Sequence, residues 1–176
     1  PDSLDKVYSE EEEDFDNSFL SHVVQQWEAA VDRIKQLDIR VSKIRTGLVL
    51  SGKGGALKEI AGPVRFGAGA AFGTGRQMQS WIHIYDLANI YLYILRNQLE
   101  GVYNAVAPYP VTNYNLVKSI AKTVDKPFFL PNIPKFVMEF ALGEMHVLLF
   151  ASQNVSAKKI IGAGYQYKYL SLEKAL

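Results

Sequence analysis

The stretch "GTGRQMQSWIHIYDLANIYLYIL", residues 73–95, decides the fold because it joins glycine-rich turns, a short strand and an apolar helix. Just upstream, "GAGAAFG" at residues 67–73 has the glycine spacing of a phosphate-binding loop. A dinucleotide-binding loop of that kind lies between a strand and the N-terminus of a helix. Here the strand-like "WIHI" follows the glycines, so the sequence predicts an irregular turn and no phosphate cradle.

The hydrophobic pattern predicts an α/β protein in which helices alternate with short strands. Apolar residues at three- and four-residue steps indicate an amphipathic helix over about residues 18–37. "IRVSKIRTGLVLS", residues 39–51, is typical of a buried strand that is broken at Gly47. Further strands are predicted at "WIHI" (81–84), "GVYNAVA" (101–107) and "YQYKY" (165–169).

Helix signals complete this pattern. Asp86 is expected to cap a helix that runs to about Asn97, and Thr112 is expected to cap the next one. The chain is expected to be extended from Pro63, and a further apolar helix is predicted from about Pro134. Gly143 is expected to break that helix before "EMHVLLFA" continues it.

Composition excludes several classes of function. The net charge of +1 gives no support to nucleic-acid binding. No apolar stretch has the length of a membrane span. The absence of cysteine excludes disulfides, thiolate nucleophiles and zinc-thiolate sites. We therefore expect a cytoplasmic protein that binds neither nucleic acid nor membrane.

The sequence offers few candidate catalytic residues. His22, His83 and His146 are the three histidines, and their spacing does not predict a metal site. His83 is expected to be packed or bonded to the backbone, His22 to lie on the exposed side of its helix, and Asp86 to act as a cap and not as an acid catalyst. The residues alone indicate an α/β domain and leave its catalytic residues unknown.

Several motifs in a fixed order extend this interpretation. They are "WEAA" (27–30), "RTGLVLS" (45–51), "GGAL" (54–57), "GTGRQMQSWIHIYDLANI" (73–90), "GVYNAVAPYPVTN" (101–113), "LGE" (142–144) and "GAGYQYKYLSLEKAL" (162–176). In this order the chain resembles the C-terminal portion of the atypical, extended short-chain dehydrogenase/reductases. The group is the NAD-dependent epimerase-like family, whose members often carry the name "cell-division inhibitor".

The resemblance implies a division of the chain. Residues 1–126 would form the C-terminal part of a Rossmann-like epimerase domain with its substrate-side segments. Residues 127–176 would form the family's own C-terminal domain of unknown function. The family's glycine-rich cofactor motif has no counterpart here, so the N-terminal cofactor-binding half is expected to be absent and the natural start of the chain to be missing. NAD or NADP would be held through that absent half.

The resemblance also assigns site residues. In the wider superfamily a catalytic Tyr and Lys lie four residues apart, and a Glu often follows eight residues after the Tyr. Alignment of that Glu with Glu28 places Leu20 and Val24 at the Tyr and Lys positions, and neither can donate a proton. Tyr8 is expected to be a poor substitute because it falls in a solvated loop.

Two groups of binding residues are implied by the same comparison. Arg45, Thr46, Gly47 and Leu48 correspond to the stretch that passes the nicotinamide in extended reductases, although Arg45 could instead pair with a carboxylate and Gly47 could mark a bulge. In sugar-nucleotide enzymes an arginine near position 76 grips the diphosphate. Arg76 is therefore a candidate for substrate binding, with the neighbours that could line the same cleft, Gln77 and Trp81.

Three functions remain open at this point. The chain could be part of an NAD(P)-dependent oxidoreductase or epimerase that acts on a small-molecule substrate, with a nucleotide-sugar as one candidate. It could belong to a non-catalytic dinucleotide-binding regulator or sensor, which Leu20 and Val24 favour. It could be a free-standing interaction module, although a half-sheet would then expose an apolar edge. A homodimer is expected as the assembly.

Overall fold

The structure is a computed structural model that describes residues 6–12, 19–142 and 151–176. Helices alternate with short strands along the chain, which confirms the predicted α/β class. The helices are α1 (Phe19–Asp32, followed by a 3-10 helix at Arg33–Leu37), α2 (Ala56–Arg65), α3 (Ile84–Arg96), α4 (Asn113–Thr123), α5 (Lys135–Leu142), α6 (Lys158–Gly162) and α7 (Leu172–Ala175). The strands are β1 (Ser42–Thr46), β2 (Leu48–Leu50), β3 (Met78–Gln79), β4 (Trp81–His83), β5 (Gly101–Ala105) and β6 (Val111–Thr112).

Parallel pairing sets the direction of the central strands. β1 pairs with β5, and β2 pairs with β4, both in parallel. β1 and β2 are separated only by Gly47, so they form one bent strand that changes partner at the glycine. β3 and β6 form a short antiparallel ladder. The carboxyl ends of β1 and β5 therefore lie at the same edge of their ladder.

Two apolar clusters form the core, and the C-terminal segment contributes to both. In the first cluster Leu172 and Ala175 pack with Trp81, Leu50 and Leu116. The second cluster combines side chains of α3, β4 and β5 with residues of the C-terminal segment, which are Ala157, Ile160 and Tyr165. Burial of these side chains holds residues 155–176 firmly against the strands.

Several local predictions are wrong, and the hydrogen bonds give the reasons. Pro63 does not begin an extended segment, because it lies inside α2, and its carbonyl accepts hydrogen bonds from the amides of Phe66 and Ala68. "YQYKY" forms no strand, since the amides of Lys168 and Tyr169 donate to a side chain, the carboxylate of Asp86.

The capping predictions have mixed outcomes. Thr112 caps α4 as predicted, because its hydroxyl accepts a hydrogen bond from the amide of Asn115 at 3.2 Å. The N-cap of α3 is His83 and not Asp86, since the His83 ring accepts from the amide of Tyr85. The predicted break at Gly143 and most of the helix after it lie outside the described residues.

Within the described parts of the chain, no helix is both long and apolar enough to span a bilayer.

Candidate functional site

A cleft of about 730 Å³ lies beside the carboxyl end of β1. In open α/β sheets, ligands bind outside the carboxyl ends of parallel strands. The walls come from the acidic segment 6–12, α1, β1 and residues 151–155. A second cavity, of about 770 Å³, lies at the opposite end of β1 and is lined largely by apolar side chains, among them Val31, Ile34 and Leu95. The cleft at the carboxyl end is therefore the candidate site.

Gly47 shapes the floor of the cleft. A Cβ atom at this position would collide with the carbonyl oxygen of Ser80 and lie 2.8 Å from Cγ1 of Val106. The amide of Gly47 donates to the carbonyl of Ala105, and the next amide, that of Leu48, donates to the carbonyl of Ser80. The bent strand therefore needs glycine where it passes between two neighbouring strands.

An ion-pair network crosses the same floor. The Nε and Nη2 atoms of Arg45 donate to the two carboxylate oxygens of Glu28 at 2.7 and 2.8 Å. Lys43 lies 3.4 Å from Glu28 and 3.1 Å from Asp32. The hydrogen bond from Arg45 holds the pKa of Glu28 below its ordinary value of 4.5, although burial opposes this shift. The alternative in which Arg45 pairs with a carboxylate is thus realised.

Tyr8 lines the cleft and pairs through its backbone, so it does not lie in a solvated loop, which corrects that expectation. It forms a parallel bridge with Val155. Its amide donates to the carbonyl of Asn154, and its carbonyl accepts from the amide of Ser156, both at 2.8 Å. Two residues later, a carboxylate oxygen of Glu10 accepts from the backbone amide of Asn104 at 2.8 Å. These bonds fasten the acidic segment to β5 and to the C-terminal segment.

Ser80 is a site-building residue that sequence reasoning missed. Its hydroxyl donates to the carbonyl of Gln153 at 2.7 Å and accepts from the amide of Val155 at 2.8 Å. The amide of Met78 donates to the hydroxyl of Ser152. These bonds place residues 152–155 along β3 as a wall of the cleft. A lone serine between two short strands carries no sequence signal that would identify this role.

The other predicted site residues have different positions. Arg45, Thr46 and Gly47 line the cleft together, whereas Leu48 lies just beyond it in β2, opposite Trp81. Trp81 is fully buried in the first core cluster and donates through Nε1 to the carbonyl of Tyr109.

Arg76 and Gln77 lie further along the same stretch as Trp81. Arg76 is exposed and is not among the described residues that line the cleft. Gln77 is buried, and its amide donates to the carbonyl of Phe72. The assignment of Arg76, Gln77 and Trp81 to substrate binding stays a prediction.

The two histidines that the structure describes, His22 and His83, are not among the residues that line the cleft. His83 stacks on Tyr169 with ring centroids 3.8 Å apart, and its Nδ1 accepts from the amide of Tyr85 at 3.0 Å. The expectation of a packed, backbone-bonded histidine is confirmed. Burial lowers the pKa of His83, with Asp86 opposing and Lys168 reinforcing the shift. His22 is exposed on α1, as predicted, and His146 lies outside the described residues.

Known proteins resemble this chain along its whole length. Residues 133–176 match a family described as a domain of unknown function, DUF1731. The chain is 39% identical over 175 residues to the epimerase family protein YfhF of Bacillus subtilis, which covers 99% of the chain and 57% of that protein. It is 37% identical over 176 residues to the epimerase family protein SDR39U1 of Mus musculus, which covers 99% of the chain and 59% of the relative.

The chain is similar to members of the extended, NAD-dependent epimerase-like family. The solved structure of human epimerase family protein SDR39U1 with NADPH matches 98% of the chain and 59% of that protein, with a TM-score of 0.90 and 34% identity. A nucleoside-diphosphate sugar epimerase from Corynebacterium glutamicum matches 97% of the chain and 32% of that protein, with a TM-score of 0.77 and 31% identity. The chain spans 57–59% of the curated relatives.

These similarities confirm the resemblance that the sequence motifs indicate, and they support a Rossmann-like α/β fold. Val24, which the resemblance places at the superfamily's lysine position, lines the cleft. Valine has no donor or acceptor in its side chain, so it cannot take the part of that lysine. Among the described residues that line the cleft, no Tyr and Lys lie four positions apart in the chain.

Proposed function

We propose that this chain supplies the substrate-side wall of an NAD(P)-dependent, epimerase-like protein. In this proposal, the cleft at the carboxyl end of β1 receives the nicotinamide end of the cofactor. The observation that carries the proposal is that Thr46 and Gly47, at the end of β1, open into the same cleft as Val24 and Trp27 of α1. The human relative, whose structure contains NADPH, supports the choice of a nicotinamide cofactor.

The residues of the cleft fit a nicotinamide group. Val24 and Trp27 offer a broad apolar surface, and 68% of the Trp27 side chain is exposed. A flat aromatic ring can be buried against such a surface. Thr46 is exposed at the end of β1 and carries a hydroxyl that can bond to a carboxamide. A bound nicotinamide cofactor supplies hydride transfer, and the residues named here bind and orient it.

Binding should be tested first, with the protein that spans the full length of its relatives. Titration with NADPH and with NADH, followed by cofactor fluorescence, should give saturable binding of at least one of them. The Trp27→Ala variant should weaken that binding by about tenfold, because it removes the largest apolar surface of the cleft.

Phe129→Ala provides the matched control, since Phe129 is also exposed, at 74%, but does not line the cleft. This variant should bind the cofactor as the wild type does. Absence of cofactor binding by the wild-type protein would overturn the proposed function. Equal effects of the two substitutions would show that the nicotinamide lies elsewhere.

A second candidate function is a dinucleotide-binding regulator or sensor without turnover. The presence of Val24 in the cleft favours it, since the side chain can neither hold a ribose hydroxyl nor help to transfer a proton. Tyr8 is the one phenol among the described lining residues. Steady NADPH oxidation with added carbonyl compounds would support the enzyme, whereas tight binding without oxidation would support the sensor.

A further inference from the structure

We propose that the cleft selects neutral ligands and excludes nucleoside diphosphates, so that the substrate or effector of this protein is not a nucleotide-sugar. The inference rests on the proposed function, because it names the ligand class of the same cleft. It separates this chain from a structural neighbour that is described as a nucleoside-diphosphate sugar epimerase.

The charges that line the described part of the cleft cancel. Two of the lining side chains are acidic, Glu12 and Glu28, and two are basic, Lys43 and Arg45. Each has a partner of opposite charge. Glu12 lies 2.8 Å from Lys6, and Glu28 accepts from Arg45 and lies 3.4 Å from Lys43.

Binding of a diphosphate requires a cation that can turn its donors to the ligand. An arginine achieves this with two parallel N–H donors, which match two phosphate oxygens. In this cleft the Nε and Nη2 donors of Arg45 are both directed to the Glu28 carboxylate. A diphosphate that used these two donors would have to displace that carboxylate, and one bound at other donors of Arg45 would lie close to its negative charge. This repulsion disfavours dianions but leaves uncharged ligands unaffected.

The arginine that is expected to grip a diphosphate does not add a cation to the described lining of this cleft. Arg76 is exposed and does not belong to the described lining of the cleft. Much of the remaining lining is apolar or aromatic, including Val24, Trp27 and Val106. A surface of this kind suits an uncharged ligand with an apolar body and one or two hydrogen-bonding atoms, such as an aldehyde or a ketone.

The first experiment measures anion binding directly. The full-length protein is saturated with NADPH, so that the cofactor's own diphosphate site is filled, and is titrated with UDP-glucose by calorimetry. We expect no binding with a Kd below about 1 mM. A micromolar Kd would overturn the inference and leave the proposed function intact. Failure of NADPH itself to bind would instead overturn the proposed function.

A charge variant tests the cause. Glu28→Gln keeps the size of the side chain but releases Arg45 and Lys43 from their carboxylate, so the affinity for UDP-glucose should rise at least tenfold. The control is Glu139→Gln, which removes a carboxylate that lies 3.8 Å from Lys135 and outside the cleft lining. The control should show no gain, and a folded Glu28→Gln protein without a gain would contradict the inference.

Asp32→Asn provides a second variant if Glu28→Gln does not fold. It removes one of the two carboxylates near Lys43 and leaves the Glu28–Arg45 pair in place. The gain in affinity for UDP-glucose should then be smaller, about threefold. An unchanged affinity in this variant, with NADPH still bound, would count against the inference.

Matched neutral and anionic probes complete the test. Benzaldehyde and 4-carboxybenzaldehyde have the same aldehyde and ring, and they differ by one carboxylate. Saturation-transfer NMR on the NADPH-bound protein should show at least tenfold tighter binding of benzaldehyde, and Glu28→Gln should reduce this preference. Equal binding, a preference for the anionic probe or binding of neither probe would each contradict a cleft that selects neutral ligands.

Discussion

The hydroxyl of Tyr165 donates to a carboxylate oxygen of Asp86 at 3.0 Å, and the two residues are 79 positions apart in the chain. The same carboxylate accepts from the backbone amides of Lys168 and Tyr169, both at 2.9 Å. Asp86 is 1% exposed. A buried carboxylate is tolerated when hydrogen-bond donors surround it, and here all three donors come from one short segment. Asp86 therefore fastens residues 165–169 to the start of α3.

Removal of this acceptor should loosen the C-terminal segment. Asp86→Ala removes the acceptor of the Lys168 and Tyr169 amides and leaves the Tyr165 hydroxyl only the Asp86 carbonyl at 3.1 Å, so the free energy of unfolding should fall by about 3 kcal/mol. Tyr165→Phe removes one donor and should cost about 1 kcal/mol. The two losses should not add in the double variant, because the residues are in direct contact. Urea denaturation measures all three values.

Gln166→Ala is the matched control for the Asp86 variants, since Gln166 is an exposed side chain of the same segment. Its effect should stay within about 0.5 kcal/mol. A loss for Asp86→Ala no larger than that of the control would show that the three hydrogen bonds contribute little to stability.

Gly47 offers a prediction about packing and not about backbone freedom. Gly47→Ala would place a methyl group against the carbonyl of Ser80 and Cγ1 of Val106, so the free energy of unfolding should fall by about 3 kcal/mol. Gly62→Ala is the control, because the space around Gly62 in α2 is open. That change should raise helix stability by up to about 1 kcal/mol. Thermal unfolding of both variants decides between steric and conformational causes, and similar effects would reject the steric account.

Local signals in the sequence were sufficient where the partner lies nearby in the chain. The Thr112 cap depends on an amide three residues away, and the amphipathic pattern over residues 18–37 correctly located α1. The pattern did not show what lies against the apolar side chains of that helix. Phe19 and Trp27 are 79% and 68% exposed in this chain. Periodicity identifies an apolar stripe on a helix, but it does not identify the surface that covers the stripe.

Contacts between residues that are distant in the chain account for most of the features that the sequence did not predict. Tyr8 was assigned to a solvated loop because its neighbours are acidic, but its backbone pairs with Val155. The tyrosines of "YQYKY" alternate as in a strand, yet the amides of that segment bond to Asp86. Neither partner can be read from local sequence, since each is set by how distant segments meet. The Glu28–Arg45 pair at the cleft floor was one of two alternatives, and only the geometry distinguished them.

Gln77 and Gln79 allow a comparison of two buried side-chain amides that differ in their hydrogen bonding. Both side chains are less than 10% exposed, but the side-chain nitrogen of Gln77 donates to the carbonyl of Phe72 at 3.0 Å. The side-chain nitrogen of Gln79 is buried and has no hydrogen-bond partner among the described residues. Gln79→Met should therefore raise the free energy of unfolding by about 1 kcal/mol, while Gln77→Met should lower it by about 1 to 2 kcal/mol. Chemical denaturation of both variants provides the comparison. A loss for Gln79→Met as large as that for Gln77→Met would reveal a partner for the Gln79 amide.

The ion pair at the cleft floor makes stability depend on pH in an acidic window. Arg45 holds the pKa of Glu28 below 4.5 in the folded protein, whereas the unfolded chain titrates near the ordinary value. The folded state therefore binds fewer protons, so the contribution of Glu28 to stability is complete above about pH 5 and is lost as the pH falls from 4.5 through the folded pKa.

The stability difference between the wild type and Glu28→Gln should be constant from pH 7 to about pH 5.5 and should shrink below pH 4.5. Denaturation curves across this range measure it, with Glu139→Gln as the control at a more exposed pair. A stability difference that changes near pH 6.5, or that persists unchanged to pH 3, would show that the Glu28–Arg45 bond does not cause the loss of stability at low pH.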